Sequence, residues 1–144
     1  MVAIDRRKSV LIVEDDVLAA NLIERLLRSV RSDMDFDWTN SAEDAIRTIS
    51  LSHQANLDCP YDLIVSDFYL EGSKMGLDFW NVCREFYPTV PFVLMSGNDL
   101  SDFLEQEEDG ALPYFLKKPF DIKKARVFFQ RFLKNGNQNH AQQN

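Results

Sequence analysis

The stretch Val10-Leu11-Ile12-Val13-Glu14-Asp15-Asp16 decides the fold. Its continuous apolar run is that of a strand buried on both faces of a parallel sheet. The acids that follow at once show where the chain leaves the sheet for water. Beyond them Leu22, Ile23, Leu26, Leu27 and Val30 recur at the three-and-four spacing of one helix face. A strand is therefore followed by a helix, and the alternation continues in the same manner.

Phe36 and Trp38 mark a second strand, and Ser41 is an N-cap with Glu43 and Asp44 in the first turn of a helix carrying Ala45, Ile46 and Ile49. The polar stretch from Ser52 to Pro60 reads as an enlarged surface loop. Leu63-Ile64-Val65 forms the third strand, and Leu77, Trp80, Cys83 and Phe86 lie on a helix that ends before Pro88. Phe92-Val93-Leu94-Met95 is the fourth strand, an acidic helix is expected over Asp99 to Glu107, and Tyr114-Phe115-Leu116 is the fifth strand. Asp121 then caps a last helix whose apolar face is Ile122, Ala125, Phe128, Phe129 and Phe132. Strands separated by helices imply right-handed crossovers and a doubly wound α/β fold with a parallel sheet covered on both sides. In such folds ligands bind beyond the carboxyl ends of the strands.

Composition narrows the function. With 144 residues, 45% hydrophobic and 27% charged, the chain suits one globular domain that needs no metal or disulfide staple. That domain is expected over residues 1–134, with the Asn- and Gln-rich stretch 135–144 as a disordered tail. No apolar run is long enough to cross a bilayer, and Met1 to Lys8 lacks the apolar segment of a secretory leader, so a cytoplasmic location is expected. Cys59 and Cys83 have no metal-ligand or redox spacing. A formal charge of -7 disfavours direct binding to nucleic acid, which relies on Lys and Arg to neutralise phosphates.

Chemistry gathers at the strand ends. Glu14, Asp15 and Asp16 follow the first strand and Asp67 follows the third, so adjacent parallel strands bring Glu14, Asp15 and Asp67 to one rim. Unpaired carboxylates there raise one another's pKa unless a cation intervenes, and oxygen-only ligands suit magnesium, with manganese as an alternative. Asp16 reads instead as the cap of the first helix. Ser96-Gly97 ends the fourth strand and Lys117-Lys118-Pro119-Phe120 the fifth. A hydroxyl and an ammonium bind phosphoryl oxygens, while a glycine leaves room for the group. Asp67 is then the nucleophile that forms an acyl phosphate.

The blocks Val10 to Asp16, Asp62 to Asp67, Ser96-Gly97 and Lys118-Pro119-Phe120 together resemble the signature of bacterial two-component response-regulator receiver domains of the stand-alone, chemotaxis-receiver kind, over about residues 8 to 134. The resemblance implies a flavodoxin-like (βα)5 fold with strand order 2-1-3-4-5. It makes Asp67 the phosphoacceptor, Glu14 and Asp15 the acids of a magnesium site, and the Tyr69 backbone carbonyl a further ligand. Ser96 and Lys118 become the pocket's hydroxyl and lysine, and Phe115 the aromatic switch, with Tyr114 as the competing assignment. A cis peptide is implied at Lys118-Pro119, leaving Lys117 on the surface, and Tyr69 and Asn98 are implied to influence how fast water removes the phosphoryl group.

The implied partners are a sensor histidine kinase or histidine phosphotransfer protein and a downstream target protein. Output passes through the face formed by the fourth and fifth helices and the fifth strand, where a second copy could also dock on phosphorylation. The implied role is a switch rather than an enzyme, limited to accepting the phosphoryl group and slowly losing it. The alternatives are a degenerate receiver acting only as a binding module, a magnesium-dependent aspartyl phosphohydrolase, and a flavin-binding protein. The phosphohydrolase wants a second acid where Tyr69 stands, and Glu14 to Asp16 would repel a flavin phosphate. The chain also departs from the family pattern. Glu71 stands where proline is common, Gly72-Ser73-Lys74-Met75-Gly76 is one residue longer than usual, Gly97 replaces a common alanine, and Gly110 to Lys118 is also one residue long.

Overall fold

The computed structural model describes residues 7–97 and 112–134. The expected acidic helix over Asp99 to Glu107, Asn98 and the tail 135–144 lie outside the described residues. In chain order the elements are β1 (Lys8–Val13), α1 (Val17–Val30), β2 (Met34–Thr39), α2 (Ala42–Gln54), β3 (Leu63–Asp67), α3 (Gly76–Phe86), β4 (Phe92–Ser96), β5 (Tyr114–Lys117) and α4 (Ile122–Leu133). All strand pairs are parallel and the order is β2-β1-β3-β4-β5. This is the order that the resemblance implies.

Alternation along the central strands divides the core into two layers. Leu11, Val13, Ile64, Phe92 and Leu94 point toward α2 and α3, packing on Ala45, Ile49, Phe79 and Trp80. Val10, Ile12, Leu63, Val65, Val93 and Met95 point to the other side, against Ile23 and Leu27 of α1 and Ala125 and Phe129 of α4. Burial on both faces explains why β1, β3 and β4 read as unbroken apolar runs. The edge strand β2 buries Met34 and exposes Asp35 and Asp37, acids that discourage pairing with a further strand.

Three caps read from the sequence stand as expected. Asp16 accepts from the Leu18 amide at 2.9 Å, Ser41 from Asp44 at 3.2 Å and Asp121 from Lys124 at 3.0 Å. Each satisfies an amide that the first turn of a helix leaves unpaired.

One boundary needs correction. α2 runs through Gln54, so the loop expected from Ser52 begins later. His53 stacks on Phe86 of α3 with ring centroids 4.0 Å apart, and that tertiary contact holds the last turn despite its polar sequence. The helix then stops at Asn56, whose φ of 58° is a left-handed conformation that asparagine tolerates.

Candidate functional site

The carboxyl ends of β1, β3 and β5 converge on one group of side chains. Glu14, Asp15 and Asp67 each offer a carboxylate oxygen within 4.8 Å of the others. Lys118 places Nζ 3.2 Å from Glu14 Oε2 and 3.4 Å from Asp67 Oδ1. Asp67 Oδ1 also accepts from the Phe68 amide at 3.1 Å. Glu14 is only 2% exposed, and its Oε1 accepts from the Asp16 amide at 3.2 Å. Asp15 stands at the rim, where Oδ2 accepts from the Glu71 amide at 3.0 Å.

The main chain fixes these positions. The Glu14 amide donates to the Thr39 carbonyl at 3.0 Å, and the Glu14 carbonyl accepts from the Trp38 indole at 2.7 Å. Ser96 is buried at the end of β4, and its carbonyl accepts from the Lys118 amide at 2.8 Å. The hydroxyl-bearing residue and the lysine are therefore tied to each other through backbone. The Lys118-Pro119 peptide is cis and Lys117 is exposed, as the resemblance implies.

Among the described residues, three carboxylates face the Lys118 ammonium. Burial, then the charge of Asp67, pushes the Glu14 carboxyl above its ordinary pKa despite Lys118. Burial also raises that of Asp67, with Lys118 opposing and Asp15 adding to the rise. For Lys118 burial acts downward, but Asp67 and Glu14 outweigh it and hold the ammonium above its usual value. Converging, under-neutralised carboxylate oxygens with one acid at a solvent-facing rim fit a hard divalent cation that keeps some of its waters.

Other residues singled out from the sequence lie around this centre. Tyr69 is 44% exposed, its ring edge-on to Phe68. Phe115 packs on the layer containing Phe92 and Leu94, opposite Leu94 in register, whereas Tyr114 lies against Phe128 and Phe132 of α4. Phe115 thus shares the sheet face of Leu94 and Ser96, two residues apart on β4, and Tyr114 does not. Among the described residues, a Cβ on Gly97 would meet the Lys118 carbonyl oxygen at 3.9 Å, an ordinary contact.

Three contributors escaped the sequence reading. Gly76 opens α3 so close to β3 that a Cβ would lie 2.2 Å from the Asp67 carbonyl oxygen. Trp38 holds the Glu14 backbone from the edge strand. Glu43 reaches from α2 to the loop after β3. Only Gly76 left a trace, a glycine placed where a helix begins.

The response regulator receiver domain family matches residues 10–128. The chain belongs to the response regulator receiver family. Among curated relatives, the receiver is 27% identical over 129 residues to the DNA-binding transcriptional regulator NtrC of Proteus hauseri, covering 89% of this chain and 25% of that protein. It is 28% identical over 124 residues to the putative response regulator NtrX-like of Rickettsia bellii, covering 85% and 24%. The chain thus spans about a quarter of the length of these relatives. Among solved structures, Vibrio cholerae chemotaxis protein CheY4 superposes with a TM-score of 0.68 at 17% identity, covering 89% of this chain and all of that one. The receiver domain of a Pseudomonas aeruginosa sensor histidine kinase, with magnesium in its active-site cleft, gives 0.67 at 22% identity, covering 88% and 98%. Receiver domains are signalling switches that work with histidine kinases or phosphotransfer proteins. Among the described residues no helix is long and apolar enough to cross a membrane.

Proposed function

We propose that this receiver takes a phosphoryl group on Asp67 from a sensor histidine kinase or histidine phosphotransfer protein, and that the modified domain engages a downstream target. The observation that carries the reading is the placement of Asp67 at 3.4 Å from Lys118 and within 4.8 Å of the Glu14 and Asp15 oxygens. Oδ1 of Asp67 is occupied by the Phe68 amide and Lys118, which leaves Oδ2 to attack phosphorus. The new bond is O–P, the bond broken is the P–N bond of the phosphohistidine, and the imidazole leaves with its electron pair. Lys118 and the Ser96 hydroxyl receive the transferred oxygens. Magnesium, or manganese in its place, supplies charge neutralisation on those oxygens when bound. Glu14, Asp15, Asp67 and the Tyr69 carbonyl are the ligands this reading assigns to it.

The phosphoryl group adds roughly -1.5 to -2 charges to the pocket. Ser96 moves toward it and vacates space on the sheet face shared with Phe115, which turns inward. The outer face around β5 and α4 changes with it and serves as the docking surface for the target or for a second copy. Residues 1–134 form the working unit in this reading, the location is cytoplasmic, and neither membrane nor nucleic acid is contacted directly.

Mass measurement after incubation with acetyl phosphate and magnesium tests the central step. Wild type gains one phosphate and Asp67→Asn gains none. An adduct of equal yield in the variant would refute the assignment. Steady release of phosphate from simple esters, many turnovers per chain, would favour a phosphohydrolase instead.

A further inference from the structure

The segment between Asp67 and α3 departs from the family pattern in length and at Glu71, and an acid from another element holds it. Glu43 stands in the first turn of α2, and its Oε1 accepts from the Lys74 amide at 2.7 Å and from the Ser73 hydroxyl at 3.0 Å. Gly72 lies flat against the same carboxylate. Its φ is +108°, and a Cβ there would fall 2.9 Å from Glu43 Oε2 and 3.0 Å from Oε1. The positive φ favours glycine at this point, and a side chain there would push the Glu43 carboxylate out of its place. Hydrogen bonds from its own amide, then from Lys74 and Ser73, hold the Glu43 carboxyl below its ordinary pKa.

From this anchor a continuous chain of bonds leads to the carboxylate site. The loop that Glu43 grips at Ser73 and Lys74 also presents the Glu71 amide to Asp15 Oδ2 at 3.0 Å. Among the described residues the bond to Asp15 falls on Oδ2, which leaves Oδ1 for a cation. At its far end the loop is closed by the Gly76 amide, which donates to the Phe68 carbonyl at 2.9 Å beside Asp67. The stretch carrying Tyr69 is thus pinned at Phe68 by Gly76 and Met95, at Glu71 by Asp15, and at Ser73-Lys74 by Glu43.

We propose that Glu43 is a positioning residue for the cation site: by clamping Gly72 to Lys74 against α2 it fixes the Glu71 amide, and through it the orientation of Asp15. The proposal deepens the reading given above and rests on it. An outer partner that orients a metal ligand typically contributes ten- to a hundred-fold in affinity.

The test is calorimetric titration of the full chain with magnesium chloride, together with amide exchange by NMR in magnesium-free solution. Glu43→Ala should weaken magnesium binding by about ten-fold and speed exchange at Glu71 and Lys74. Glu43→Gln keeps an oxygen that accepts both bonds and should stay close to wild type. Ser73→Ala, a milder change that removes one donor, should fall between them and serves if Glu43→Ala does not fold. A role confined to stability would lower the melting temperature and leave the magnesium affinity of folded protein unaltered, which overturns the proposal. Equal weakening in Glu43→Ala and Glu43→Gln also overturns it, because lost charge rather than lost anchoring would then be responsible. A wild type that binds magnesium and forms no phosphate adduct refutes the phosphoacceptor reading alone. An adduct-forming wild type with unaltered affinity in Glu43→Ala refutes the clamp alone, and a wild type that binds no magnesium overturns both.

Discussion

Replacing Gly76 by alanine sets one methyl group against the backbone that carries the proposed acceptor. The added Cβ would lie 2.2 Å from the Asp67 carbonyl oxygen, 3.1 Å from the Asp67 carbonyl carbon and 3.1 Å from Leu94 Cδ2. Relief needs a displacement of roughly 1 Å between the end of β3 and the start of α3, since ordinary contacts between such atoms lie well beyond 3 Å. Neither side yields cheaply. The Gly76 amide is bonded to the Phe68 carbonyl, and Asp67 is paired in register with Met95 of β4. Overpacking of this kind costs about 1–3 kcal/mol, and weakening the Gly76-Phe68 bond adds about 1 kcal/mol. The reduced freedom of the unfolded chain offsets about 0.4–1 kcal/mol of that. The net expectation is a loss of about 2 kcal/mol, a melting point lower by roughly 8 °C in a domain of this size. Urea unfolding should show a lower midpoint with an unchanged slope. Phosphorylation by acetyl phosphate should slow as well, because the displaced peptide carries Asp67. Gly76→Ala as stable as wild type would refute the reasoning.

The remaining expectations concern charge, shielding and orientation. Asp67 has a raised carboxyl pKa, so its contribution to stability is present below the unfolded value and is lost as pH rises through the folded one. In the absence of magnesium, Asp67→Asn should therefore melt higher than wild type at neutral pH, with the gap closing as pH falls. A gap that widened on acidification would contradict this. Saturating wild type with magnesium at a hundred times its dissociation constant should recover about 2.7 kcal/mol, and Asp67→Asn should recover less. Tyr69 is exposed on the loop after Asp67, and its ring is expected to shield an acyl phosphate there, in keeping with the influence on hydrolysis that the resemblance implies. Tyr69→Ala should accordingly lose its phosphate faster, and an unchanged rate measured by mass would dismiss the idea. Trp38→Phe removes the indole bond to the Glu14 carbonyl, at about 1 kcal/mol. With Trp80 buried and Trp38 bonded at the site, tryptophan emission is expected to change on adding magnesium to wild type and not to Trp38→Phe, and a change in the variant would assign the signal to Trp80.

How far the sequence discloses this molecule depends on whether a feature is local. The central strands are apolar on both faces and declare themselves as runs, and Asp16, Ser41 and Asp121 declare helix starts because a cap bonds only a few residues ahead. Glu14, Asp15, Asp67 and Lys118 were legible as a group because parallel strands all deliver their carboxyl ends to one rim. Which of Phe115 and Tyr114 faces the layer of Leu94 was not, since a shift of one position along a strand exchanges its faces and the register with β4 sets them. The last turn of α2 depends on His53 meeting Phe86 from another helix. The same holds for Trp38 on Glu14 and Glu43 on the Ser73-Lys74 backbone. Such contacts join residues far apart in the chain, and no local pattern announces them.

The geometry also bears on how a phosphoryl group on Asp67, in the proposed reading, would be felt at the outer surface. Ser96 ends β4 and Lys118 follows β5, and the Lys118 amide is bonded to the Ser96 carbonyl at 2.8 Å while Ser96 pairs in register with Lys117. A pull on Ser96 toward a phosphoryl group and a pull on the Lys118 ammonium therefore act on one backbone junction rather than on two independent side chains. Lys118 itself is shared between Glu14 and Asp67, so a new anion on Asp67 must compete with Glu14 for it. Whatever β5 gives in response falls on Phe115 toward one layer and on Tyr114 toward the other. Tyr114 meets Phe128, Phe132 and the Arg131 guanidinium of α4. Tyr114 and Phe115 are adjacent on β5 and face opposite layers, so any shift of the β5 backbone that accompanies repacking of Phe115 is carried to the aromatic contacts of Tyr114.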